Sequence, residues 1–316
     1  MIKNNSSYKY PIFFFALIAL ISFCETSNSS ETNEKRASVC AATIPTDASD
    51  WQWCSTQPTS QIITIYKVAF CPALPTIPTT TTAIGITNCK TVFENTAGAR
   101  VSIAKGTGAT PDGTFSAPPS GNYTFAYVEL SHVITYKANL VFSSTTLRSS
   151  SEVYVSGGVG PNCHTNGATN IYYLGDLRGM TCTGNSVGNA SETNVIVNSF
   201  SDNGAAEYDG IISEGETVGT HVYLIQSNGK LASGSTTNNN VNVEKLIFLL
   251  PINATVTSDT KSYNLKYNNT RGVDILQLKT GDNYNVGVSA SYFDMIFEVQ
   301  YRSILSSIPI NTTSIA

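Results

Sequence analysis

The sequence predicts an all-β protein: an antiparallel β-sandwich, built as one large or two small sandwich domains, with little helix. From residue 61 onward, short segments rich in β-branched and aromatic residues alternate with gaps that contain Gly, Asn or Ser. No window combines a long apolar stripe of helical period with a capping residue at its start. Many short strands with frequent turns are typical of sandwiches and not of parallel α/β sheets.

The first strands differ in the faces that they bury. QIITIYKVAF, residues 61–70, is apolar on both faces, which predicts a central strand covered on two sides. In ARVSIA, Val101 and Ile103 share one face. NYTFAYVEL and HVITYKANLVF follow each other almost without a gap, which predicts an adjacent antiparallel pair.

The second half of the chain continues the pattern to its last strand. There, apolar residues alternate with polar ones, which predicts one buried and one solvated face. The alternating apolar residues are Phe293, Met295, Phe297, Val299 and Tyr301. The shorter apolar segments before it are EVYVS, IYYL, NVIVNSF, THVYLIQ, EKLIFLL, SYNLKY and VDILQL.

Composition indicates a β-rich extracellular protein. Charged residues make up 13% of the 316 residues and hydrophobic residues 41%, while Thr, Ser, Asn and Gly fill the spaces between apolar runs. The net charge is −4, and no basic run alternates with aromatic residues. The sequence therefore predicts no nucleic-acid partner.

The N-terminus predicts an export signal over residues 1–24. Lys3 and Lys9 precede the apolar run PIFFFALIALISFC, which is shorter than the roughly 20 residues of a transmembrane helix. An uncleaved membrane anchor is the alternative. The letters ISFC resemble the end of a bacterial lipoprotein signal with Cys24 as the acylated residue, although Phe23 stands where a small residue is usual. Cleavage after Cys24 is the competing prediction.

A polar tether, residues 25–39, is predicted between the signal and the folded part. A break in composition near residue 150 divides that part into a first β-sandwich region, 40–150, and a second β-rich region, 151–316. The break is either a linker between domains or a long loop between strands. The expected location is the cell envelope or outer surface, with an N-terminal lipid as the link to the membrane, or secretion.

Cysteine parity predicts disulfides. Once Cys24 is assigned to the signal, six of the seven cysteines remain, and an even number in an exported chain indicates three bridges. Several connectivities are open, and we prefer sequential pairing because each neighbouring pair brackets one polar, turn-rich loop. No pair has the C-x-x-C spacing of a zinc or redox motif. The six are Cys40, Cys54, Cys71, Cys89, Cys163 and Cys182.

One pair encloses a loop rich in proline and threonine. Between Cys71 and Cys89 lies PALPTIPTTTTAIGITN. Because Pro75 and Pro78 cannot lie in the interior of a sheet, we expect this loop to project from the protein. A Cys71–Cys89 bridge would close its base, and such a rigid loop would suit contact with a partner.

Three motifs stand between residues 61 and 142: K-V-x-x-C at the end of a strand, then V-x-I, then P-x-G-x-Y-T-x-A-Y-V. They resemble a transthyretin-like sandwich module of bacterial exported proteins. The resemblance implies a sandwich fold and a surface location, and it supplies no catalytic residues. In it, Gly121 would take a sharp turn and Tyr123 would close the sandwich edge. The matching positions are Lys67, Val68, Cys71, Val101, Ile103, Pro119, Gly121, Tyr123, Thr124, Ala126, Tyr127 and Val128.

A hydrolase motif is present in letters only. GNSVG, residues 184–188, satisfies G-x-S-x-G, and Ser186, Asp202 or Asp209, and His221 follow in hydrolase order. A nucleophile elbow needs a strand before the serine and a helix after it, but the polar run NASETN follows here. We interpret the match as chance and predict no enzyme.

No metal site or cofactor is predicted. His132 and His221 lie within strand-like segments, and His164 follows a cysteine expected in a disulfide. The loop SDNGAAEYDG gathers oxygen ligands without the spacing of an EF-hand, so we interpret it as a solvated turn. Its candidate ligands are Asp202, Asn203, Glu207 and Asp209.

Two tryptophans occupy the loop-rich residues 37–60. Trp51 and Trp53 lie two apart, so they share one face of an extended segment. They would either stack on a sugar ring or cover the disulfide at Cys54.

These observations predict a non-enzymatic exported β-sandwich protein with a structural, adhesive or assembly role and a surface glycan or protein as partner. A glycan-binding or glycan-processing protein is one alternative, and paired carboxylates on neighbouring strands would be its mark. A filament or virion subunit is the other, assembled through edge strands.

Overall fold

The structure is a computed structural model that describes thirteen stretches of the chain. The described residues are 38–39, 52–103, 109–141, 147–149, 161–172, 178–184, 188–200, 206–209, 220–233, 242–269, 272–280, 283–291 and 294–301. They form β-strands and no helix, which confirms the predicted all-β class. No helix that could cross a bilayer is found in this part of the chain.

The strands vary from two to fourteen residues. In chain order they are β1 (Ser38–Val39), β2 (Gln52–Thr56), β3 (Ser60–Cys71), β4 (Lys90–Ile103), β5 (Thr114–Phe115), β6 (Gly121–Ser131), β7 (Val133–Lys137), β8 (Asn139–Val141), β9 (Leu147–Ser149) and β10 (Asn162–Thr165). They continue with β11 (Ile171–Tyr172), β12 (Met180–Thr183), β13 (Thr193–Ile196), β14 (Glu207–Asp209), β15 (His221–Ile225), β16 (Lys245–Val256), β17 (Thr260–Asn268), β18 (Val273–Thr280), β19 (Asn283–Ala290) and β20 (Asp294–Tyr301).

A ten-stranded sheet is built around β3. On one side β3 pairs with β4 along most of its length, and on the other it pairs first with β7 and then with β6. Beyond β6 the sheet continues through β16 and β15 to β14, and beyond β7 through β13 to β11. The short β5 pairs with β4 at Phe93 and Glu94.

β6 and β7 are not paired with each other, so the prediction of an adjacent antiparallel pair was wrong. Both run antiparallel to β3, one after the other. Only His132 separates them, and one residue cannot form a hairpin, whose shortest common loop has about two residues. β6 and β7 thus follow each other as one extended stretch, whose outer neighbour is β16 before His132 and β13 after it. At the change, the Val197 N–H donates to the His132 carbonyl over 2.8 Å.

Both faces of β3 are buried over residues 68–71, as its sequence predicts, whereas in the first part of the strand the second face is only partly buried. Ile63 and Phe70 lie in a large cluster on one face, and Ala69 and Cys71 lie in a smaller cluster on the other. Side chains alternate between faces along a strand, and a β-bulge in the middle of β3 brings Ile63 and Phe70 to the same face, so these two sets define the first and second faces of the sheet. β4 follows its prediction too, with Val101 buried in the large cluster.

Three further sheets contribute to the large cluster. Their strand orders are β1-β2-β18-β19-β9, β12-β10-β8 and β17-β20. The ring of Phe70 meets those of Tyr263 on β17 and Phe297 on β20, each with 4.9 Å between centroids. On β20, Met295 is buried and Gln300 exposed, as the alternation predicts, whereas Phe293 lies outside the described residues.

Pairing runs across the break in composition near residue 150. β2 pairs with β18, and β6 pairs with β16. Residues 36–316 cluster as one compact unit, while the unit 1–35 lies outside the described residues. Ser38 and Val39 of the predicted tether form β1, and β2 lies in the predicted loop-rich stretch.

Gly121 and Tyr123, for which the resemblance implies a turn and an edge contact, both lie in strand β6. The Tyr123 hydroxyl donates to the Pro119 carbonyl over 2.8 Å, and its ring is buried against Phe70. This bond ties the start of β6 to the segment before it. Gly121 is the first residue of β6 and does not have a left-handed backbone.

Candidate functional site: a disulfide-closed cover and its charged border

Two disulfides join neighbouring cysteines, as sequential pairing predicts. Cys71 is bonded to Cys89 and Cys163 to Cys182. The first bridge closes the β3–β4 hairpin, since Cys71 ends β3 and Cys89 directly precedes β4. The second joins residues that lie opposite each other in β10 and β12. Both bridges indicate folding in an oxidising compartment.

The loop between Cys71 and Cys89 does not project, so that prediction was wrong. It folds into a small hairpin, in which Thr76 and Gly85 exchange two backbone hydrogen bonds of 3.2 and 3.1 Å. Pro75 and Pro78 are buried. Strand β3 ends at Cys71, before the prolines. Apolar residues in the loop then pack the loop back on the second face of the sheet. These residues are Ile77, Ile84 and Ile86.

A second turn holds the hairpin in place. The Ile84 N–H donates to the Gly229 carbonyl over 2.9 Å, and the Leu231 N–H donates to Thr79 over 3.0 Å. Gly229 has a φ of 78°, which glycine adopts without strain. We call residues 72–88 and 226–231 together the cover. Beneath it lie Tyr127, Tyr223, Ile225, Ile247 and Leu249.

The outer end of the cover is a hydroxyl-rich tip, residues 79–83, which is exposed throughout. Its turn is closed by the Thr79 N–H, which donates to the Thr82 carbonyl over 2.8 Å. The Thr79 hydroxyl accepts hydrogen bonds from the N–H groups of Thr81 and Thr82. These bonds give the tip a defined shape, with the Thr80 side chain facing solvent.

A row of charged side chains borders the cover on the same face. Glu129 accepts hydrogen bonds of 2.8 Å from Lys245 Nζ and from the Tyr127 hydroxyl. Lys245 Nζ also lies 3.3 Å from the centre of the Tyr66 ring, in a cation–π contact. On the neighbouring strands, Lys67 forms a 2.7 Å ion pair with Glu94. We call Tyr66, Lys67, Glu94, Glu129 and Lys245 the border.

Glu94 and Glu129 do not form the pair of neighbouring carboxylates that would mark a glycan-processing site. β3 separates them, and Lys67 of β3 lies opposite both residues in the strand register. Each carboxylate is held by a lysine within 2.8 Å. The arrangement suits ion pairing across the sheet.

Burial beneath the cover raises the pKa of Tyr127 well above its ordinary value, and the charge and hydrogen bond of Glu129 raise it further. An unfolded tyrosine titrates near pH 10, so this tyrosine contributes stability below about pH 10 that is lost as the pH rises toward the folded pKa. Between pH 9 and pH 11, we expect the free energy of unfolding to fall by about 1 kcal/mol less for Tyr127→Phe than for the wild type. Denaturant titrations at both pH values measure this.

Tyr172→Phe is the control for this experiment, because Tyr172 lies at an exposed edge. If Tyr127→Phe and the wild type lose equal stability at alkaline pH, the Tyr127 hydroxyl does not stay protonated in the folded protein.

The residues of the hydrolase motif are brought together only in part. Asp209 and His221 lie opposite each other in β14 and β15, whereas Ser186 and Asp202 lie outside the described residues. The last glycine of the motif has a packing role instead. A Cβ atom on Gly188 would lie 2.3 Å from the His164 ring, so a side chain there would have to displace that ring.

The other predicted positions contribute no described metal or ligand site. Among the described residues, no group of three His, Cys, Asp or Glu side chains could hold a metal ion. His132 Nδ1 lies 3.1 Å from the Glu244 carbonyl, and burial lowers the pKa of its imidazole. Glu207 is exposed on β14.

Several predicted residues fall wholly or partly outside the description. Cys24, Cys40, Trp51 and Asn203 lie outside the described residues. For Trp53 the structure gives the backbone, which pairs with Leu276 of β18. Cys54 is disulfide-bonded.

Sequence reasoning missed the border. Its residues come from four strands, and their closeness depends on register between distant parts of the chain. The signal that could have found them is the presence of charged residues inside apolar strands. Lys67 interrupts QIITIYKVAF, and Glu129 interrupts NYTFAYVEL.

No protein-family model matches the sequence, no curated protein matches it, and no solved structure matches the fold. The resemblance of residues 61–142 to a transthyretin-like module therefore stays a prediction.

Proposed function

We propose that the protein is a non-enzymatic exported β-sandwich protein that acts at the cell envelope or outer surface by contact with a surface partner. The observation that carries this proposal is the cover. Its disulfide, its internal hydrogen bonds and its bonds to the second turn hold an exposed tip in one shape. A contact surface that is already ordered loses little conformational entropy on binding.

The chemistry of the tip and border favours a polar partner. The tip offers threonine hydroxyls and backbone groups, and the border offers lysines and glutamates in alternation. Such a surface recognises a partner through hydrogen bonds and matched charges more than through apolar burial. A hydroxylated glycan or a polar protein surface fits this description.

An adhesion assay with tip variants tests the proposal. Beads coated with the purified protein are added to intact cells of the producing organism and to their isolated envelopes. We expect Thr80→Glu with Thr82→Glu to reduce bead attachment at least tenfold at an unchanged melting temperature, because the new charges alter the tip without removing the Thr79 hydroxyl.

Thr87→Glu is the matched control, since Thr87 is exposed in the same loop but outside the tip. Equal attachment by the tip variant, the control and the wild type would contradict a contact role for the tip. Surface biotinylation of intact cells tests the location separately, and labelling only after lysis would contradict it.

Self-assembly is a second candidate, and one observation favours it. Within the described residues, β4 pairs with β5 only at Phe93 and Glu94, so its outer edge at residues 99–103 carries no further strand. Open edges recruit strands from other chains. Sedimentation of the purified protein over a range of concentrations distinguishes a monomer from an assembly.

A further inference from the structure

A polar layer is buried between the ten-stranded sheet and the five-stranded sheet that contains β2, β18 and β19. Its members come from five strands and one loop, and none is more than 6% exposed. We call this layer the seam. It consists of Ser55, Gln61, Tyr136, Asn269, Asp274 and Ser289.

Contacts connect these side chains into one group. Ser55 Oγ donates to Asp274 Oδ1 over 2.6 Å, although the two residues are 219 positions apart. In the register of the sheet, Asp274 lies opposite both Ser55 and Ser289. Burial, and after it the charge of Asp274, raise the pKa of Tyr136. The charge of Asp274 on the five-stranded sheet thus acts on the Tyr136 hydroxyl of the ten-stranded sheet.

Gln61 extends the group along the ten-stranded sheet. It lies opposite Tyr136 in the strand register, and its Oε1 is 2.9 Å from the point where a Cβ atom on Gly272 would stand. The Gly272 N–H in turn donates to the Asn269 carbonyl over 3.0 Å. Asn269 and Gln61 thus both lie next to Gly272.

Five buried polar atoms of the seam have no hydrogen-bond partner among the described residues. They are Gln61 Oε1, Gln61 Nε2, Tyr136 Oη, Asn269 Nδ2 and Ser289 Oγ. Tyr136 Oη lies near the Gln61 amide and the Ser291 backbone, but neither contact meets the distance and angle of a hydrogen bond. Each buried polar atom without a partner costs free energy, and five together would cost much of the stability of an ordinary domain.

We propose that the seam is a binding site for ordered water molecules that bridge the two sheets. The chemistry of the five atoms selects the ligand. Gln61 Nε2 and Asn269 Nδ2 are donors, Gln61 Oε1 is an acceptor, and a hydroxyl is both. A cation satisfies acceptors alone, whereas water donates and accepts and commonly makes about three bonds in a buried site.

The bridging water would connect two parts of the fold that are distant in sequence. The seam joins β2, near the start of the described chain, to β18 and β19, near its end. Direct side-chain contact accounts for Ser55 with Asp274, and the Asn269 Oδ1 atom accepts from Gln57 Nε2 over 3.3 Å. Water supplies the contacts of the five atoms without a protein partner.

The stability of the Tyr136→Phe variant shows whether the Tyr136 hydroxyl is bridged by water or has no partner. If water bridges the hydroxyl, its removal lowers the folding equilibrium constant by roughly fivefold. If the hydroxyl has no partner, its removal relieves a desolvated group and leaves that constant unchanged or higher. Tyr123→Phe is the matched control, because the ring of Tyr123 is also buried but its hydroxyl donates directly to a backbone carbonyl. An unchanged or higher constant for Tyr136→Phe would overturn the proposal.

A crystal structure of the wild-type protein at about 1.5 Å resolution gives a test that needs no variant. We expect ordered solvent peaks at hydrogen-bond distance from Gln61 and Tyr136. Direct protein contacts at these atoms, with no solvent between the sheets, would overturn the proposal. A melting temperature that depends specifically on sodium, potassium or calcium would also overturn it, because the occupant would then be an ion.

Discussion

Replacing both Cys71 and Cys89 with alanine lowers the free energy of unfolding by about 3 kcal/mol. This magnitude follows from the loop-closure entropy that the bridge removes from the unfolded chain for a sequence separation of 18 residues. The cover keeps its hydrogen bonds to the 226–231 turn, so the sheet is expected to stay folded. Chemical denaturation of the oxidised wild type and the double variant measures the difference.

The Cys163/Cys182 pair provides the matched control, because its separation of 19 residues predicts a similar loss of stability. Limited proteolysis distinguishes the two variants. We expect new cleavage within residues 72–88 only when the Cys71–Cys89 bridge is absent. Cleavage there in the oxidised wild type would show that the loop is not held on the sheet as described.

Replacing Phe70 with alanine lowers the free energy of unfolding by about 3–5 kcal/mol, as large-to-small changes at buried aromatic positions do. Phe70 is fully buried near the C-terminal end of β3. Its ring meets Tyr123 within the sheet and Tyr263 and Phe297 on the β17–β20 pair. The substitution therefore opens a cavity where two sheets meet, and thermal or chemical unfolding reports the loss.

Phe115 is the control for this substitution. Its side chain is 58% exposed on β5, although its ring lies 5.1 Å from that of Phe93. We expect Phe115→Ala to cost less than about 1 kcal/mol. Comparable losses at the two positions would mean that Phe70 does not link the ten-stranded sheet to β17 and β20.

Local patterns were sufficient to predict the class of the fold. The two apolar faces of β3 and the alternation in β20 are properties of single segments, and the structure confirms them. Sequential disulfides were predictable because a loop of about twenty residues brings its own ends together at small entropic cost. Each of these predictions needed information from only one stretch of chain.

Predictions failed where distant segments meet. The Cys71–Cys89 loop was expected to project because proline excludes it from a sheet, but the face that it packs on is formed by β6, β15 and β16. β2 was missed because its pairing partner, β18, lies more than two hundred residues later. The border and the seam depend in the same way on register between strands, which composition and periodicity do not encode.

The central claim is that an exported β-sandwich carries a disulfide-closed cover, and a non-reducing peptide map tests it most directly. Protein from its native host is alkylated at harvest, digested and analysed by mass spectrometry. The account predicts linked peptides for Cys71 with Cys89 and for Cys163 with Cys182, together with an N-terminus at acylated Cys24 or after it. Alkylated free thiols at Cys71 and Cys89 would contradict it.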